Sequence, residues 1–169
     1  MRTNMEINGK QYSFDVEPRT TLADCLRHKA KLTGTHVSCA HGFCGACTVI
    51  VDGAPVRSCL MLAVQADQSA VQTIEGISAD NELSPLQKAF RKHGAVQCGF
   101  CTPGILMSAH ALLSSDSEAD EERIREILSG HLCRCTGYLP IVQAILEARQ
   151  SFKGQSFKGN ERHFGRRKA

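Results

Sequence analysis

Tryptophan is absent from this 169-residue chain, and there are only two tyrosines. A platform that stacks nucleic-acid bases needs aromatic faces, which argues against that class of function. A large excess of one sign of charge is missing too. The net charge of +3 is too mild for an electrostatic footprint on nucleic acid. No apolar run approaches the roughly 20 residues of a membrane span, so no membrane insertion is expected. The opening "MRTNMEINGKQYSFDV" has Glu6 and Lys10 where a signal peptide would need its apolar core. The expected location is therefore the cytoplasm. Cysteine, by contrast, is plentiful: there are nine. In a reducing compartment such cysteines serve as metal ligands more readily than as disulfides, and an odd number cannot all pair.

The chain is long enough for one ordinary domain or two small ones, and small domains benefit from metal staples. Two characters follow one another along it. "MEING" and "KQYSFDV" flank Asn8-Gly9, a strong hairpin signal. "TTLADCLRHKAKL" reads as a helix capped by Thr20 or Thr21, with Leu22, Cys25, Leu26 and Lys29 on one face and Gly34 as its stop. "TVIV" and "APVRSC" form a second hairpin about Asp52-Gly53, and "AVQTI" a further strand. From about residue 77 four helices are expected. They open at Ser84-Pro85, at Thr102-Pro103 with Thr102 as cap, near Glu118, and near Tyr138. The fold class is α+β, with a strand-rich unit over 1–76 and a helical unit over 77–150. The remainder, 151–169, reads as a basic flexible tail: from Phe152 on, six basic residues oppose one acidic residue.

Cys39, Cys44 and Cys47 read C-x4-C-x2-C, and Cys59 stands alone after eleven intervening residues. This is the plant-type [2Fe–2S] spacing. Each iron takes two thiolates, and the sulfides between them are anionic. Gly42, Gly45 and the small Ala40 and Ala46 let backbone N–H groups turn toward that charge. Four thiolates also suit a structural zinc, although zinc prefers two close knuckles to one triplet and a lone cysteine. A second set is divided. "QCGFCTPG" carries Cys98 and Cys101, and "HLCRCTGY" carries Cys133 and Cys135. Each pair lies near an expected helix N-terminus, whose free N–H groups and positive potential favour thiolates. On spacing alone this set could hold either iron–sulfur or zinc.

Taken in order, "CAHGFCGACTV", "RSC", "VQCGFCTPG" and "HLCRCTGY" resemble the small iron–sulfur subunit of the molybdenum hydroxylases. That family includes xanthine dehydrogenase, aldehyde oxidoreductase, carbon monoxide dehydrogenase and quinoline 2-oxidoreductase. The resemblance spans about residues 4–149. It implies a β-grasp ferredoxin-like domain followed by a four-helix bundle, with a [2Fe–2S] cluster on each cysteine quartet. A molybdopterin, expected as the cytosine dinucleotide, would sit on a large subunit and FAD on a medium one, in a dimer of heterotrimers. This chain would pass electrons from the pterin to FAD during oxidative hydroxylation of an N-heteroaromatic or aldehyde-like substrate, and would hold no catalytic residue. Gln97 and Cys135 are the positions implied to approach the pterin, with the Cys39 cluster toward FAD. Three features depart from the family's pattern: Ser38 replaces a glycine, Cys25 replaces an apolar residue, and the basic tail has no counterpart.

Other candidates read more plainly. Cys25, on the apolar helix face, is expected in the core. His36 and His41 flank a complete cysteine quartet and are expected to be non-ligands. Arg134 is equally suited to donating to sulfur or phosphate and to facing solvent. The rival functions are a free-standing ferredoxin, which leaves the helical half without a purpose, and a zinc-stabilised binding module with the tail as its arm.

Overall fold

The computed structural model describes residues 1–78 and 82–152. Five strands form one mixed sheet, ordered β2-β1-β5-β3-β4. They are β1 (Arg2–Ile7), β2 (Lys10–Asp15), β3 (Thr48–Val51), β4 (Ala54–Arg57) and β5 (Ala70–Gln72). β1 and β5 run parallel, with Ile7 opposite Val71, and the other neighbours are antiparallel. Asn8 and Gly9 both adopt positive φ, as the tight turn between β1 and β2 demands. β1 alternates exposed and buried, sending Met5 and Ile7 inward. With α1 (Leu22–Asp24) packed on it, the sheet gives the β-grasp architecture expected from the motifs.

The first helix is much shorter than its periodicity suggests. Thr21 caps it through its hydroxyl to the Asp24 N–H. After Asp24 the turn widens to a π turn over Cys25–Lys29, where the Ala30 N–H reaches the Cys25 carbonyl. The wider turn moves Lys29 out of the expected stripe and into solvent, and Ala23 is buried beside Leu22, Cys25 and Leu26. The chain leaves the helix at Lys31, with φ +61, ahead of Gly34.

Four further helices follow: α2 (Pro85–Lys92), α3 (Thr102–Ser115), α4 (Glu121–Leu128) and α5 (Leu139–Ala148). Ser84 and Gln87 cap α2 reciprocally, with Pro85 in its first turn. α4 starts later than Glu118, because the Asp120 carboxylate accepts from the Arg123 N–H and sets the first turn there. α3 departs from a one-sided stripe. Ile105, Leu106, Ala109, Leu112 and Leu113 enter the helical core, as their spacing predicts. Met107 and Ala111, on another face, pack on Ile50 of β3. That second contact is why all four residues of β3 are buried: one face meets the sheet's own core and the other meets α3. Among the described residues, no helix is long and apolar enough to cross a membrane. Of the expected tail, Phe152 is buried against the helical core and touches His110 edge-on. Residues 153–169 lie outside the described residues.

Candidate iron–sulfur sites and their relatives

The first cysteine set lies in the loop between the π turn and β3, closed by Cys59 just beyond β4. Ala40, Gly42 and Gly45 all take positive φ, which coils the loop so that N–H groups point inward. The Cys44 N–H donates to Cys39 Sγ over 3.4 Å. That bond and the His41 backbone N–H draw the Cys39 thiol down to about 6. Burial, and then the Cys47 side chain, push Cys59 up to about 11. The Cys44 side chain lies against Cys39, and the Cys47 side chain lies against Cys59. Two thiolates for each of two irons is the requirement of a [2Fe–2S] cluster, and this donor set fits it.

The second set also forms pairs, each drawn from both segments. Cys101 faces Cys133, and burial followed by that neighbour pushes Cys101 up to about 12. Cys98 faces Cys135 and raises its thiol. Burial acts upward on Cys133, but the Thr136 hydroxyl and the N–H groups of Thr136 and Cys135 outweigh it, so Cys133 is lowered. These four cysteines, with Phe100, Leu132, Arg134, Tyr138, Ser38, Cys44 and Ala46, line an open cavity of about 550 Å³. All nine cysteines are free, so every sulfur of both quartets is available as a ligand. Local structure differs from expectation in two places. Cys101, rather than Thr102, occupies the cap of α3, without a side-chain cap bond. Cys135 is separated from α5 by a turn, with left-handed Tyr138 at the helix cap.

The two sets adjoin. The Leu132 N–H donates to the Cys44 carbonyl over 3.0 Å. Arg57 donates one guanidinium N–H to the Gly130 carbonyl over 2.6 Å and another to the Thr48 hydroxyl. Thr48 in turn donates to the Gly45 carbonyl over 2.7 Å. A Cβ on Gly45 would lie 2.5 Å from His131 Nδ1 and 2.6 Å from the Gly130 carbonyl, so only glycine lets the loops meet. His131 is buried, bonded through Nε2 to the Ser108 hydroxyl at 2.8 Å, and held down to about 4 by burial and by Arg57.

Of the sequence candidates, Gln97, Cys98 and Cys135 are exposed on the outer side of the second set, and Arg134 is exposed at the cavity rim. His36 bonds the Phe100 carbonyl through Nδ1 at 2.8 Å and lies tilted against its ring, tying the two halves together. His41 bonds the Cys39 carbonyl. Cys25 is fully buried, and burial raises it to about 11. Sequence reasoning missed Arg57, His131, Ser108, Thr136 and Tyr138. Each acts across a turn or a seam, and only the "RSC" and "HLCRCTGY" motifs hinted at four of them.

A family model described as "2Fe-2S iron-sulfur cluster binding domain" matches residues 5–76, and one described as "[2Fe-2S] binding domain" matches residues 73–146. The nicotine 6-hydroxylase small subunit of Paenarthrobacter nicotinovorans is 54% identical over 145 residues, covering 86% of this chain and 87% of that subunit. Caffeine dehydrogenase subunit gamma of Pseudomonas sp. (strain CBB1) is 50% identical, covering 84% and 87%. In the crystal structure of quinoline 2-oxidoreductase from Pseudomonas putida 86, a chain 47% identical superposes with a TM-score of 0.88, covering 92% of this chain and 98% of that one. The chain has two [2Fe–2S]-binding domains in the same order and belongs to the small iron–sulfur subunits of the molybdenum hydroxylase family, that of xanthine dehydrogenase and aldehyde oxidoreductase.

Proposed function

We propose that this chain conducts electrons from a molybdopterin on a large subunit to FAD on a medium subunit, through two [2Fe–2S] clusters. Cys39, Cys44, Cys47 and Cys59 would hold one cluster in the unit over 1–76. Cys98, Cys101, Cys133 and Cys135 would hold the other in the unit over 77–150. When bound, each cluster takes up and releases one electron. The chain's own residues supply thiolates, burial and hydrogen bonds to sulfur, which set the potentials. The single observation that carries the reading is the hydrogen bond from the Leu132 N–H to the Cys44 carbonyl. It joins the residue next to one proposed ligand, Cys133, to another proposed ligand, Cys44, and makes the two sites neighbours in one wire.

Exposure supports this direction for the wire. Cys98, Cys135 and Gln97 are open to a partner on the outer side of the second set, which suits approach to the pterin. Phe43 and Leu60, 69% and 62% exposed beside the first set, suit docking of the flavin subunit. The proposed substrate class is a nitrogen heterocycle, because relatives with half or more of the aligned residues identical are named for nicotine, 6-hydroxypseudooxynicotine and caffeine. The cytosine dinucleotide form of the pterin, a dimer of heterotrimers and a cytoplasmic location complete the reading. Nine unpaired cysteines suit a reducing compartment.

The test is purification of the complex through a tag on this chain, followed by metal, flavin and EPR analysis. The expected result is about four irons per chain, two distinct reduced [2Fe–2S] signals, and co-purified molybdenum and FAD. Anaerobic nicotine, caffeine or quinoline should reduce the clusters if the substrate class is right. Stoichiometric zinc, or about two irons with no partner chain, would overturn the reading.

A further inference from the structure

We propose that the Thr136 hydroxyl donates a hydrogen bond to the Cys133 sulfur in the loaded protein and raises the reduction potential of the helical cluster above that of the same cluster without it. The inference rests on Cys133 being an iron ligand, as proposed above.

The Thr136 Oγ1 lies 3.1 Å from Cys133 Sγ. Between a hydroxyl and a thiol either group could donate. A sulfur bound to iron carries no proton, so only the threonine can. Its proton is also free for the purpose, because Thr136 Oγ1 already accepts the Tyr138 N–H at 3.2 Å. An oxygen receiving a bond on one side points its own O–H elsewhere, and the sulfur is the partner within reach.

The turn is built to hold this arrangement. Tyr138 takes φ +68, a left-handed conformation that a bulky side chain adopts only under constraint. In that position its N–H turns back to Thr136. Its ring folds over so that the hydroxyl donates to the His131 carbonyl at 3.0 Å and accepts from the Cys133 N–H at 2.8 Å. Four residues therefore lock one another, and the Thr136 hydroxyl cannot easily rotate away from the sulfur. Thr136 is half-buried, which limits competition from water.

A hydrogen bond to a ligand sulfur stabilises the reduced cluster, which bears one more negative charge, and so raises the potential. The first set has a backbone donor at the corresponding place, the Cys44 N–H on Cys39 Sγ. Side-chain substitution cannot remove that donor. Cys133 has backbone donors too, from Thr136 and Cys135, and the Thr136 hydroxyl adds to them a donor that substitution can remove. The cluster of the first set serves as an internal reference.

The experiment is an EPR-monitored redox titration of the purified complex carrying Thr136→Val, Thr136→Ser or the native chain. Valine keeps the shape and loses the hydroxyl; serine keeps the hydroxyl. The expected result for Thr136→Val is a roughly tenfold fall in the reduction equilibrium constant of one cluster, about 59 mV for a one-electron couple. The other cluster should be unmoved, and Thr136→Ser should lie near the native value. Unmoved potentials in Thr136→Val, or equal shifts of both clusters, would overturn the proposal. If valine prevents cluster assembly, Thr136→Ala is titrated instead and should show the same one-cluster fall. Loss of the cluster in both variants would make Thr136 a structural residue and overturn the proposal. Absence of a second [2Fe–2S] signal in the native complex would instead overturn the ligand assignment.

Discussion

The two cysteine quartets solve the same problem with different amounts of chain. The first gathers three thiols within nine residues, and its fourth arrives at the end of the hairpin that follows. Local coiling does nearly all the work, through positive φ at Ala40, Gly42 and Gly45. The second must bring together two pairs separated by α3 and α4. Its geometry depends on tertiary packing: α3 against β3, His131 on Ser108, and the knot of Thr136 and Tyr138. The two sites also share a seam. The second loop leans on the first through Leu132 on Cys44, and Arg57 ties Gly130 to Thr48. A site made by local coiling can form before its neighbour; a site made by packing needs the neighbour in place.

The largest expected effect tests that asymmetry. Cys135→Ala should lose only the second cluster, leaving about two irons per chain and an intact first EPR signal. Cys47→Ala should do worse, because β3 begins at the next residue and the loop that supports Leu132 collapses with the cluster. Fewer than about two irons are expected there. Equal losses in the two variants would break the comparison.

Next in size is Gly104→Ala. In most helices this change is favourable by about 1 kcal/mol. Here the new Cβ would run into the Gly45 carbonyl oxygen and come within 2.9 Å of the Ala46 carbonyl oxygen. These are backbone atoms of the first cysteine loop and cannot swing aside. The expected net loss is about 3 kcal/mol, read as a lower thermal midpoint with the second EPR signal broadened first. Gly9→Ala, with nothing within 4 Å of its Cβ but φ +79, serves as the control for strain without collision.

How legible each region was follows from the same contrast. The hairpins and the cap and first-turn proline of α2 are short-range patterns, and the structure follows them closely; the spacing of the first quartet is a short-range pattern too. The second quartet could be grouped only because two spacings in one chain called for four ligands. What the sequence did not disclose depends on contacts across long separations. The double burial of α3 requires knowing that β3 lies behind it. The π turn at Cys25 keeps the hydrophobic residues of a helix but changes their angular spacing. Arg57 looked like an ordinary hairpin residue, because its partner Gly130 lies 73 positions away. Tyr138 read only as the start of a helix, and its φ of +68 marks it as a clamp.

Arg57 gives the third prediction. Arg57→Gln would leave the Gly130 carbonyl and the Thr48 hydroxyl without their shared cation. A charge-assisted pair of bonds in a half-buried seam is worth about 2 kcal/mol, or roughly 4–8 °C in the thermal midpoint of a chain this size. Both clusters should still assemble, with the magnetic interaction between them weakened, because Cys44 and Leu132 would lose the clamp that holds them together. Arg57→Lys should recover only part of the effect, since an ammonium lacks the planar fork that reaches both partners. An unchanged midpoint together with an unchanged interaction signal would show the seam to be held by α3 and β3 alone.

The smallest effect concerns the ninth cysteine, which separates thiols that ligate from a thiol that packs. Cys25 is fully buried, and burial raises it to about 11. A group raised that far is a thiolate in about one molecule in a thousand at pH 8. Iodoacetamide should therefore leave it unmodified in the native protein and label it once the chain is unfolded. Cys25→Ala removes one sulfur from a packed cluster of Leu22, Leu26 and Val49 and should cost about 1 kcal/mol. Neither EPR signal should move. Raised reactivity of Cys25 in the folded chain, or a shift in the Cys39 cluster signal, would place this thiol with the ligands and weaken the contrast between a locally coiled site and the core behind it.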